Sequence, residues 1–192
     1  MKLTSARTVA EYFHEVVRLA LHNQQVRPEA ATEFYLVNLL ASFARREDEP
    51  DGADEALAIR YGKALQANRD ERARRLRAIG DTSLFVSGFF ADSLDRRLID
   101  VSYYIGIGGA AYGHLSHMVR DARGASSAVV YDELAGKFPK FVDVLAEVSE
   151  MGHVQSNGDV VRLYRRWLQT SSAWLARKLC HLGVIPRQPA AG

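Results

Sequence analysis

The chain has 192 residues, 47% of them hydrophobic and 25% charged, values ordinary for a soluble globular protein and sufficient for one domain with a real core. A formal net charge of +2 supplies no concentrated basic surface, so nucleic acid is not an expected partner. The single cysteine, Cys180, excludes an intrachain disulfide and any thiolate cluster within one chain.

At the N-terminus, MKLTSARTVAEYFHE has a charge inside what would be the apolar region of a secretion signal, so the expectation is a cytoplasmic protein. Helical periodicity begins over residues 5–22, where Val9, Phe13, Val16, Val17 and Ala20 share one side. NQQVRPE connects to a second helix, residues 28–46, with Pro28 in its first turn and apolar residues on more than one face. REDEPDGAD reads as an exposed acidic loop. A long helix is expected over 54–79 with Gly80 as its stop, and Asp81 then looks like the N-cap of a short apolar helix, TSLFVSGFFADSL.

The longest stretch free of Lys, Arg, Asp and Glu follows, residues 101–119, VSYYIGIGGAAYGHLSHMV. Asp100 is its candidate N-cap, while Arg120, Arg123 and Gly124 suit its last turn and C-cap. Four glycines, three tyrosines, two serines and two histidines make it a poor membrane span, so it reads as a buried central helix. Further helices are expected over 127–137, from Pro139 with a stripe of Phe141, Val144, Leu145 and Val148, and over 160–182 with Asp159 as cap. No alternating run with hairpin punctuation occurs. The expectation is all-α: a single compact multi-helix domain of about seven helices, residues 1–186, around a buried glycine-containing helix. Residues 187–192 form a tail.

On the glycine helix, Ile99, Ser102, Gly106, Ala110, Gly113 and His117 fall on one stripe, with Tyr104, Gly108, Ala111, Leu115 and Val119 opposite. Interior glycine costs about 0.8–1 kcal/mol relative to alanine, so the small stripe needs a reason. The favoured reason is another helix packed over it. The alternative is a ligand or cofactor lying there, lined by Tyr103, Tyr104, Gly106, Gly109, Tyr112, Gly113, His114 and His117. GIGGAAYG is no phosphate loop, for it lacks the preceding strand and the lysine. YYIGIGGAAYG resembles the glycine-bearing distal helix of heme oxygenases. That resemblance implies an all-α fold with heme as cofactor and an iron-ligating histidine on the first helix, His14 or His22.

Glu11-x-x-His14 and Glu150-x-x-His153 have the spacing used by carboxylate-bridged di-metal bundles, with Glu33 as a further candidate ligand and Glu133 or Glu147 as its partner. His114-x-x-His117 lacks nameable third and fourth ligands for zinc. No G-x-S-x-G elbow is present, and Cys180 and His181 point about 100° apart on a helix. Arg69, Arg72, Arg74, Arg75 and Arg77 cluster on one helix and Arg162, Arg165 and Arg166 on another, most simply as solvated faces. The pattern names no cofactor. It favours a non-enzymatic helical interaction or regulatory module, bound to a protein partner or to itself through an apolar helix face. A helical protein holding a small ligand, heme or two metals over the glycine-rich helix is the alternative.

Overall fold

Residues 9–44, 55–89, 100–151, 157–181 and 183–186 are described by a computed structural model. Among these residues the chain is all-α, with nine helices and no strand. In chain order they are α1 (Val9–Asn23), α2 (Ala30–Ala44), α3 (Leu57–Gln66), α4 (Arg69–Phe89), α5 (Val101–Arg123), α6 (Ala125–Gly136), α7 (Phe138–Glu150), α8 (Asn157–Thr170) and α9 (Ala173–His181). No described helix is long and apolar enough to cross a membrane.

The helix boundaries differ because two expected helices break where periodicity showed no interruption, and the second half of one of them fuses with the short helix expected after Asp81. The expected helix over 54–79 is interrupted at Ala67, which is extended, and restarts at Asn68. Asn68 is the reason: its Oδ1 accepts from the backbone N–H of Glu71 at 3.0 Å, and its carbonyl accepts from Arg72 N at 2.8 Å. The final expected helix is split in the same way. Ser171 takes a positive φ of 50°, and Ser172 opens α9 by accepting from Leu175 N on its Oγ and from Ala176 N on its carbonyl. Asp159 consequently lies inside α8 and not ahead of it.

Gly80 does not stop a helix either. α4 runs through it to Phe89, so Asp81 sits in mid-helix and caps nothing. A Cβ at position 80 would lie 2.6 Å from Tyr112 Cε1, and the missing side chain is what lets the aromatic ring of α5 reach the α4 backbone.

The α5 boundaries match their sequence signals. Asp100 accepts from Ser102 N at 3.0 Å, and Gly124, at φ +85°, returns its N–H to the Arg120 carbonyl. α5 packs chiefly against α4 and α6. Its inward face is Val101, Gly108, Ala111, Tyr112, Leu115 and Ser116. At Gly108 a Cβ would lie 2.6 Å from Ser83 Cβ and would also strike Phe138, so this glycine is the close-approach position. Pro139 enters the first turn of α7, as expected, and Phe141, Val144, Leu145 and Val148 are buried.

Three apolar clusters hold the helices. The largest joins α1, α2, α4, α5, α6 and α7 through residues such as Leu36, Leu40, Leu84, Tyr112 and Phe138. A second links α3 and α4 to Ala111 and Leu115, and a third sets Trp167, Trp174 and Leu179 against Ala146. Each fully buried leucine contributes about 1.5–3 kcal/mol.

Among the described residues no helix covers the Gly106, Ala110 and His117 part of the small stripe of α5. Gly106, Ala110 and His117 are exposed, and a Cβ at Gly106 would meet nothing within 4 Å. A Cβ at Gly109 would make only ordinary contacts, with Ala135 of α6 and Phe138 of α7 at 3.9 Å, and one at Gly113 would meet Ala135 at 4.0 Å. The opposite stripe has the residues that fill space: Gly108, Ala111 and Leu115 are buried and Tyr104 half-buried. Ile99 lies outside the described residues.

Candidate functional site

The open face of α5 has walls on both sides. On one side stands α3: the Tyr103 hydroxyl accepts from Ala58 N at 2.9 Å in its first turn, and the Tyr61 ring meets His114 edge-on at 5.9 Å. On the other side stands α6, with Ala135 against Gly109 and Gly113 and with Asp132 accepting from both Ser116 and Arg120. Between them Gly106 and Ala110 form a low floor with exposed His117 at one end, and Ile59 adds an exposed apolar side chain (54% accessible) next to the Ala58–Tyr103 bond. Of the expected ligand-lining residues, Tyr103, Gly106, His114 and His117 therefore surround this face. Tyr104 is half-buried with its ring edge-on to Tyr103, and Gly109 and Gly113 border α6. Tyr112 points the other way, into the core.

Tyr112 belongs instead to a polar cluster that no sequence motif announced. Its hydroxyl donates to Asp81 Oδ1 at 2.7 Å, and Tyr35 of α2 donates to the same oxygen at 2.6 Å. Arg77, one turn earlier on α4, donates from Nε to the Tyr35 hydroxyl at 3.1 Å, stands 3.8 Å from Asp81 Oδ2, and lies over the Tyr35 ring. Burial, followed by the negative charge of Asp81, pushes the Tyr35 and Tyr112 phenols well above the ordinary tyrosine range. Both stay protonated at neutral pH and serve as donors that satisfy a carboxylate placed between helices. The one available signal was Asp81 directly after Gly80, in a segment otherwise poor in charge.

Histidine and carboxylate candidates are dispersed. His14 and Glu33 come together at 3.8 Å on the outer surface of α1 and α2, and Arg18 approaches the same carboxylate at 3.7 Å. Glu11 is exposed on α1, and Glu150 pairs with Lys178 of α9. Glu133 pairs with Lys137, and Glu147 accepts from Asn23 at 2.6 Å and Gln24 at 2.7 Å, tying the end of α1 to α7. His153 lies outside the described residues. Among the described residues no three His, Cys, Asp or Glu side chains gather as a metal site would require. α1, which would carry the iron-ligating histidine that the distal-helix resemblance implies, packs on α2 and α7, and its His14 and His22 are exposed.

The side chains of Arg162 and Arg165 lie outside the described residues. Arg166 is buried and donates to the Ser87 and Gly88 carbonyls at 3.0 and 3.4 Å, where a cation complements the carboxyl end of α4. Beside it, burial holds the Asp143 carboxyl above its ordinary range, against the opposing pull of Ser172, Arg166 and Arg177. Arg75 pairs with Glu71 along α4. No protein-family model, curated protein or solved structure matches this chain.

Proposed function

We propose that the chain is a non-enzymatic helical interaction module that receives a protein segment, from a partner or a second copy, on the outer face of α5. The observation that carries this reading is Gly106. A glycine in a helix interior costs about 0.8–1 kcal/mol relative to alanine, and among the described residues no neighbour within 4 Å requires its missing side chain. A helix backbone or flat side chain arriving from outside would require it, as small residues at a helix surface allow close approach. The walls from α3 and α6 and the absence of charge between residues 101 and 119 suit such a segment. The polar groups within reach, His114 and His117 among them, provide a rim for orientation.

Gly106→Arg tests the proposal, because the open space accepts the side chain without disturbing the fold. Sedimentation velocity on the purified chain, together with crosslinking in native extract, compares it with wild type. The expected result is an unchanged circular dichroism spectrum and Tm, with loss of the wild-type complex. Identical complexes in both proteins would refute it.

A further inference from the structure

We draw no further inference here: the strongest candidate, the surface patch on the outer side of α1 and α2 where Tyr12, Leu19 and Phe34 are exposed beside the contacts of Glu33 with His14 and Arg18, is an apolar face, and nothing among the described residues shows what covers it.

Discussion

The Tyr112 side chain contacts two consecutive residues of α4: its ring covers Gly80, 2.6 Å from where a Cβ would be, and its hydroxyl donates to Asp81 at 2.7 Å. One side chain thereby fixes both the spacing and the rotation of α4 against α5. Gly80→Ala is expected to destabilise the protein although alanine is the better helix former. The added methyl overlaps a fully buried ring that has no room to retreat, which costs about 1–3 kcal/mol net of the propensity gain. Urea denaturation would show a lower midpoint with an unchanged slope.

The same cluster predicts alkaline sensitivity. Tyr35 and Tyr112 have folded-state pKa values raised above the unfolded value, by burial first and by Asp81 second. Above pH 10 or so the unfolded chain has released those protons while the folded chain still holds them, so stability falls as pH rises. Each phenol contributes a fall of about 1.4 kcal/mol per pH unit in that range, and full stability is retained below it. Tyr112→Phe should be less stable at pH 8 yet lose stability less steeply between pH 10 and 11. Equal slopes in urea titrations of the two proteins would contradict the assignment.

Arg166 gives a prediction of opposite character to a solvated arginine. Arg166→Leu leaves the Ser87 and Gly88 carbonyls without their donor and removes a cation from beside Asp143. A loss of about 3–5 kcal/mol is expected, as for one partner taken from a buried ionic arrangement. Arg74→Leu, at an exposed position on α4, should change stability by less than about 0.5 kcal/mol. Thermal unfolding of the two variants compares them directly.

Local chemistry made the helix class and several termini legible. Asp100, Gly124 and Pro139 each act through their own or adjacent backbone, so their roles show in a few consecutive residues. Asn68 and Ser172 act in the same way but sit between helical runs long enough to read as one, QANRDER and QTSSAW containing no glycine or proline, and periodicity passed over them. Gly80 was misread because glycine has one signature for a helix stop and for a close approach, and only Tyr112, thirty-two residues on, distinguishes the two. The α5 wheel separated two faces correctly. It could not orient them, since neither carries charge and the outward one merely has smaller side chains. The Tyr35–Asp81–Tyr112 cluster spans three helices, with hydrogen bonds across 46 and 31 residues, and leaves no motif in the chain.

The central claim is that α5 has one closed glycine face and one open one, and paired alanine substitutions at Gly106 and Gly108 test it most directly. In urea denaturation, Gly106→Ala should be more stable than wild type by about 0.8–1 kcal/mol, since it gains helix propensity and meets nothing. Gly108→Ala should be less stable by about 1–3 kcal/mol, since its methyl collides with Ser83 and Phe138. Destabilisation by both substitutions would mean that the outer face is already occupied within the folded chain, and the account of α5 as an open binding surface would fail.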